Sequence, residues 1–511
     1  MAAQLRRPGS PEVRKSESRG ARDSKPGTDG CQQKRQHDHP STRGKKCRIS
    51  TVPLLLLFGG GAAVFLSRTS PHPADIRVVL PEREGNAEAA LGWSGSRSPS
   101  RESELETRSR AAVHVVFSTD CSGYQHWQGI SLWYSAARVG HKGPVTRIAS
   151  GCSNDQEVAI RDEWKRIDPT GRFRVHFTPT FTIGGGYKYS NKPGGIRHWL
   201  LHANPPVREG FVCLIDPDML LLRPITISLG YGLTARRGRC NRNQVEYVDG
   251  NGTAQLLREA GLPDLPEVVW TGSPAGQHFG FGGAWVHAPK KHSLDNFNGS
   301  LVCGDGSPCA ATTRDEADEG YAVGPVYLAS REDWLSLAEK WWEFVPRVHE
   351  QYPQLLAEMY GYTIAAADLK LRFSLLSSYM VSDPRTQSLT EAWAWIDDIA
   401  ASRGASAVCE GADSTTLPFA TKSLVGMPLP TTLHYCQNYK YAGHSYAKRE
   451  VAHDFFKCDG EPIRFDVGAM LESLRNETST VNIRTAFMLC HLIPMVNTAL
   501  SEYQRSVCSR Q

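Results

Sequence analysis

The 13 cysteines of this 511-residue chain include no Cys-X-X-Cys pair. Structural zinc sites are commonly built on such pairs, so the sequence gives no ground for one. Internal repeats are also missing. Beyond the first fifty residues there is no basic excess. The formal net charge is +5, and the first fifty residues hold a large surplus of Lys and Arg. What remains is close to neutral or slightly acidic. No basic stripe survives in the part that can fold, which argues against nucleic acid as the main partner. The first fifty residues also have almost no large apolar side chains, and a disordered basic tail is expected over 1–49. Overall, 22% charged and 40% apolar residues suit a globular protein with polar tails. The length allows one large domain or two ordinary ones.

What is present begins with one uncharged run. STVPLLLLFGGGAAVFLS, residues 50–67, follows RGKKCR and precedes Arg68. Its roughly 17 to 18 residues sit at the short end for a membrane span. The glycines 59–61 weaken it as a helix but are tolerable in lipid. The basic flank is N-terminal, so the expectation is a signal anchor with a cytosolic tail and the rest of the chain across the membrane. A cleaved signal peptide is the rival, opposed by the long preceding tail. A buried core helix is a third reading, opposed by the polar flanks. Residues 68–110 read as a disordered stem. Eleven cysteines and three Asn-X-Ser/Thr sequons, at Asn251, Asn298 and Asn476, follow the run. A lumenal location would account for both, as disulfides and glycans. CGDGSPC, from Cys303 to Cys309, has the form of a local loop clip, while the remaining pairing is not readable from sequence.

Order is expected from AAVHVVFSTD, residues 111–120, an apolar β-branched run ending in a turn. HWQGISLWYSAARVG then has helical spacing at Trp127, Ile130, Trp133, Tyr134 and Ala137, with Gly140 as the C-terminal cap. GPVTRIAS and RFRVHFTP read as the second and third strands. KPGGIRHWLLHAN reads as a helix entered through a Gly-rich turn, and FVCLIDPDMLLLRPI as the fourth strand. Alternation of strand and helix predicts an α/β fold with a mostly parallel central sheet. Residues 241–320 read as loops or an insertion. SREDWLSLAEKWWEFVPRVHEQY predicts a helix capped at Ser330 and Asp333. Its Trp334, Trp341 and Trp342 fit a core better than a binding stripe.

Asp216 and Asp218 close the apolar run FVCLI. Ligands bind beyond the carboxyl ends of strands in open α/β sheets. Alternation puts the two carboxylates on one face, where they can hold a divalent cation and, through it, a diphosphate. Such a cation acts as a Lewis acid on a nucleotide leaving group. A plain turn with two exposed aspartates is the competing reading, because Asp-X-Asp by itself is common.

HVVFSTDCSGYQHWQ, VTRIASGC, NKPGGIRHWL, LIDPDMLLLRPI, VGPVYLAS, EMYGYTIAAADLKLRF and TTLHYCQNY occur in this order over about residues 113–441. As an ordered set they resemble the plant and algal peptidyl serine α-galactosyltransferases and the related hydroxyproline O-arabinosyltransferases. The resemblance implies a GT-A-type nucleotide-sugar fold over 111–466, with 467–511 as a C-terminal helical extension. It also implies a single-pass type II Golgi (or ER) membrane protein with a lumenal catalytic domain, and transfer with anomeric retention. Donor and acceptor would be a UDP-sugar and a serine or hydroxyproline of a protein. Asp216 and Asp218 then match the family's Asp-X-Asp, and His434 matches a C-terminal histidine completing a Mn²⁺ (or Mg²⁺) shell. A structural histidine beside Tyr435 is the alternative. Asn191 and Lys192 would lie near the nucleotide, with Lys192 able to pair a phosphate. Ser118, Thr119 and Asp120 would border the uridine.

Glu358 and Asp368 are the remaining acidic candidates. Retention can proceed through a covalent carboxylate intermediate or by same-face attack within an ion pair. Glu358 is assigned to sugar or acceptor positioning ahead of a nucleophilic role. Asp368 is expected to cap a helix or pair with Lys370 or Arg372. Both GFGGAWVHAPKK and VGPVYLAS could be the Gly-containing strand lining the sugar site. STDCSGYQHWQ and NKPGGIRHWL favour the galactosyl branch over the arabinosyl one. A non-catalytic membrane-anchored binding protein with the same fold is the reading from another class.

Overall fold

A computed structural model describes residues 112–227, 236–238, 241–246, 269–286, 294, 296–386, 391–410 and 430–508. The tail, anchor and stem expected over 1–110 lie outside the described residues, as do Asn251 and much of the expected insertion. The β-branched runs form strands and the 3.6-spaced runs form helices. In chain order these are β1 (Val113–Asp120), α1 (Gly123–Arg138), β2 (Val145–Ser150), α2 (Asn154–Ile167), β3 (Phe173–Thr178), α3 (Asn191–His202), β4 (Phe211–Ile215) and β5 (Met219–Leu221). A hairpin of β6 (Arg236–Gly238) and β7 (Asn241–Glu246) follows. Then come β8 (Ala275–His278), β9 (Val323–Ser330), α4 (Arg331–Gln351), α5 (Ala357–Asp368), β10 (Ser374–Leu376), β11 (Met380–Val381) and α6 (Trp393–Arg403). The C-terminal part holds β12 (Thr432–His434), the hairpin β13 (Tyr439–Tyr441) and β14 (His444–Tyr446), α7 (Val467–Leu474) and α8 (Thr480–Tyr503).

Seven strands form the central sheet in the order β10-β8-β9-β4-β1-β2-β3. All neighbours are parallel except β9, which runs antiparallel to both β4 and β8. The predicted α/β class with a mostly parallel sheet is therefore observed. One part of the expected loop region is not loop: Ala275–His278 is a buried strand within this sheet. Its sequence, AGQH, carries no apolar run that could have announced it.

The sheet is covered on both faces. Alternation along β1 sends Val113, Val115 and Phe117 to one side and Val116 to the other; β4 divides likewise between Cys213 and Val212. One face packs on α1, α2, α6, α7 and α8, the other on α3, α4 and α5. Trp334 and Trp341 are fully buried as expected, while Trp342 is half-buried against Phe181. Each large apolar side chain buried this way contributes roughly 1.5–3 kcal/mol before entropic costs. Helix α8 belongs to the first layer and is tied down by the Cys409–Cys490 disulfide and, just beyond its end, Cys458–Cys508. Among the described residues, Thr480–Cys508 is the one helical run long and apolar enough to cross a membrane, and it is mostly buried in the protein. Cys303–Cys309 forms the expected clip, Cys121–Cys152 joins the turns after β1 and β2, and the Asn298 and Asn476 sequons are exposed.

The glycines of NKPGG allow α3 to approach the sheet. A Cβ on Gly195 would lie 2.9 Å from a methyl of Ile148, and one on Gly194 would meet the Phe181 ring at 2.5 Å. This close approach brings Asn191 and Lys192, at the start of α3, to the carboxyl edge of β1 and β4.

Candidate functional site

A turn separates β4 from β5, with the Met219 N–H donating to the Asp216 carbonyl at 3.2 Å. Strand β5 leaves the main sheet and pairs antiparallel with β12, placing His434 opposite Met219. The Tyr435 N–H also donates to the Asp218 carbonyl at 3.1 Å. This pairing brings together residues far apart in sequence: His434 Nε2 lies 3.3 Å from Asp218 Oδ1. Asp216, Asp218 and His434 each offer a ligand atom, all within 4.8 Å of one another.

The corner is buried, and its charge is matched. Lys448 Nζ lies 2.6 Å from Asp218 Oδ2. Burial alone would raise the Asp218 carboxyl, but Lys448 and His434 outweigh it and hold the group well below the usual range. His434 shows the converse: burial lowers the imidazole, yet Asp218 raises it above its ordinary value.

A second charge cluster adjoins it. Lys192 Nζ bridges Asp216 at 2.9 Å and Glu358 at 2.8 Å. Burial disfavours the ammonium, but the two carboxylates prevail and raise it. The Glu358 carboxyl is raised by burial, against the opposing pull of Lys192. Its backbone is fixed on both sides: the N–H donates to the Tyr187 hydroxyl at 2.9 Å, and the carbonyl accepts from the Trp341 indole at 2.6 Å. Glu358 Oε2 is buried and has no hydrogen-bond partner among the described residues. Buried acceptors are seldom left without a partner.

The strand ends complete the wall. Ser118, Thr119, Asp120, Asn191, Lys192, Asp216, Asp218, Glu358 and His434 all line one cleft of about 660 Å³. All the predicted site residues thus meet in one place. Their immediate partners differ. Thr119 donates to the Ile148 carbonyl at 3.2 Å and accepts from Arg147 Nε at 2.8 Å. Asp120 Oδ1 accepts the Ser122 N–H at 2.8 Å. Asn191 Oδ1 accepts the Phe181 N–H at 2.7 Å, fixing the loop that leads into α3. Lys192, expected at a phosphate, is engaged by two carboxylates instead. Asp368 pairs with Lys340 of α4 at 3.2 Å and not with Lys370 or Arg372. Of the two Gly-containing candidates for the sugar-lining strand, Gly280–Val286 is a 3-10 turn, whereas VGPVYLAS is β9 and brings Pro325 to the cleft.

Sequence reasoning missed Lys448, Asp383 and Glu391. Lys448 sits in the irregular stretch AKREV after β14, where no periodicity marks a lysine as half-buried. Glu391 accepts the Ser382 N–H and hydroxyl, each at 2.6 Å, and burial pushes its carboxyl up to about 7.

No family model matches the chain. It is 31% identical over 166 residues to a peptidyl serine alpha-galactosyltransferase of Arabidopsis thaliana, covering 31% of this chain and 19% of that protein. It is 29% identical over 164 residues to the protein of the same description from Chlamydomonas reinhardtii, covering 31% of this chain and 20% of that one. The match thus spans about a fifth of the length of these curated relatives. The resemblance seen in the motifs is found again here. Among solved structures, the WbbM bifunctional glycosyltransferase overlaps with a TM-score of 0.32 at 12% identity, covering 67% of this chain and 47% of that one. The galactosyltransferase LgtC, with donor and acceptor sugar analogues, overlaps with a TM-score of 0.31 at 12% identity, covering 64% and 87%. Overlaps this low carry no argument about activity.

Proposed function

We propose that the chain is a metal-dependent, retaining glycosyltransferase of GT-A type. It would move a sugar, galactose in the favoured case, from a UDP-sugar to serine or hydroxyproline of secretory-pathway proteins. The observation that carries this reading is the convergence of Asp216, Asp218 and His434 in a cleft that Glu358 also lines. Two carboxylates and an imidazole suit Mn²⁺ or Mg²⁺ as a donor set. Bound there, the cation would neutralise charge growing on the departing UDP.

The chain's own residues would do the rest. Thr119, Asp120 and Asn191 border the nucleoside side. Lys448 supplies a second cation where a diphosphate would lie. Lys192 holds Asp216 and Glu358 in fixed orientation. Glu358 Oε2 accepts a sugar or acceptor hydroxyl. Its other oxygen is already held by Lys192, which suits positioning better than nucleophilic attack. Serine and galactose follow from the named relatives, and hydroxyproline arabinosylation is the sister possibility. Disulfides and exposed sequons support a lumenal setting, with a type II anchor at 50–67 in Golgi or ER membrane. One observation favours a non-catalytic binding protein instead: Lys448, 2.6 Å from Asp218, already supplies a positive charge there.

The test is UDP release by the full chain with Mn²⁺, a panel of UDP-sugars, and serine- or hydroxyproline-rich peptides. Release from UDP-galactose with a serine peptide, reduced by on the order of a hundredfold or more in Asp218→Ala, is expected. Response only to UDP-arabinofuranose and hydroxyproline would move the assignment to the sister reaction. UDP binding that ignores Mn²⁺, with no release, would leave a binding protein.

A further inference from the structure

Arg147 is a fully buried cation outside the cleft, yet two of its three arms grip residues that line it. It lies on β2, paired in register with Phe117 of β1. Its side chain has no exposure. Nε donates to the Thr119 hydroxyl at 2.8 Å, and NH2 donates to the Asp120 carbonyl at 3.0 Å. The third arm, NH1, meets His126 Nδ1 at 2.7 Å. A guanidinium has no acceptor, so Nδ1 must accept and the histidine is neutral with its proton on Nε2. That Nε2 lies 2.7 Å from Glu163, which also accepts the Tyr503 hydroxyl at 2.8 Å. The chain of contacts therefore runs from Tyr503, the last residue of α8, through α2 and α1 to the end of β1. Burial draws Arg147 down to about 10, which leaves it charged at neutral pH. Burial would raise the Glu163 carboxyl, but bonds from His126 and Tyr503 and the charge of Arg147 outweigh it.

We infer that Arg147, backed by His126, Glu163 and Tyr503, is a positioning residue for the nucleoside end of the donor site, and that helix α8 thereby sets donor affinity. The inference rests on the nucleotide-sugar reading of the cleft. Thr119 and Asp120 form the end of an edge that must hold a nucleoside at fixed distance from the metal corner. Their hydroxyl and carbonyl are fixed from behind by one rigid fork. Nothing in the relay touches Asp216, Asp218 or His434, so the two ends of the site are held independently.

The experiment measures UDP binding in the presence of Mn²⁺ by calorimetry, Mn²⁺ binding alone by electron paramagnetic resonance, and thermal stability, on the full chain. The variants are Tyr503→Phe, Arg147→Lys and Arg147→Met. Losing one net hydrogen bond predicts about a fivefold rise in the UDP Kd for Tyr503→Phe. Arg147→Met, losing the whole fork, predicts more than about tenfold, with Arg147→Lys between them. Donor KM should rise with kcat kept, and Mn²⁺ binding should be unchanged. Should Arg147→Met fail to fold, the other two variants decide. UDP binding that both leave untouched overturns the inference alone. UDP and Mn²⁺ binding that fall together, in step with stability, also overturn it. No UDP binding by the unaltered chain overturns the functional reading and this inference with it.

Discussion

The two ends of the cleft are built on opposite principles. At the Asp216–Asp218–His434 corner the groups that line the cleft are themselves charges, buried or half-buried. Asp216, Asp218 and Glu358 are matched by Lys192, Lys448 and His434, drawn from α3, the loop after β14, and β12. At the strand-end corner a fully buried cation, Arg147, stands behind the wall and touches the site through a hydroxyl and a carbonyl. The first arrangement concentrates charge in the cleft, but each group depends on a partner of opposite sign. The second provides rigidity with little field change in the cleft. Removing one member should therefore have different consequences at the two ends.

Lys192→Met should have the largest effect. It leaves Asp216 and Glu358 buried without their shared cation, at a cost of about 3 kcal/mol. Chemical denaturation would measure this, and adding Glu358→Gln should recover part of the loss by removing one orphaned charge. A double variant no more stable than the single would mean that Lys192 acts by packing alone. Next comes His434→Ala, expected to weaken Mn²⁺ binding by at least about tenfold, since even outer partners of metal ligands contribute that much. Unchanged affinity would remove His434 from the ligand set.

A pH-dependent effect concerns Glu391, a buried carboxyl near the same corner that accepts its hydrogen bonds from Ser382. Its folded value of about 7 lies above the ordinary 4.5. The folded state therefore holds a proton that the unfolded state releases, and stability falls as pH rises from about 4.5 to 7. Glu391→Gln should remove that slope, adding up to about 3 kcal/mol at pH 8 and almost nothing at pH 4. Equal effects at both values would show that the carboxyl titrates normally.

Much of the strand-end half was legible in the sequence because its strands are short apolar runs. VHVVF, VTRIA and FVCLI each carry enough β-branched residues to mark a buried strand. Helix α2 was missed although its signals are present: the Ser153–Gln156 capping box, and Ile160, Trp164 and Ile167 on one face. Most of its other positions are polar or charged, and Val158 is apolar on the exposed side, which blurs the periodicity. The metal corner was legible only in part. Asp216 and Asp218 follow an obvious strand, but His434 was placed there by resemblance, not by spacing. Lys448 could not be found, because pairing across a cleft leaves no local pattern. Asp368 was given the wrong partner for the same reason: near neighbours in sequence were chosen over Lys340, one helix away in space.

The pairing of β5 with β12 bears on how the molecule assembles. Strands β1 to β4 are close in sequence and can dock while synthesis is still under way, since short loops close at low entropic cost. The corner holding Asp218 cannot follow until the chain has extended past His434, because β12 supplies its other side. A chain halted before that point would lack both β12 and Tyr503 of α8, leaving each end of the cleft without one of its supports. The cleft is therefore completed late, by contacts that close over long stretches of chain.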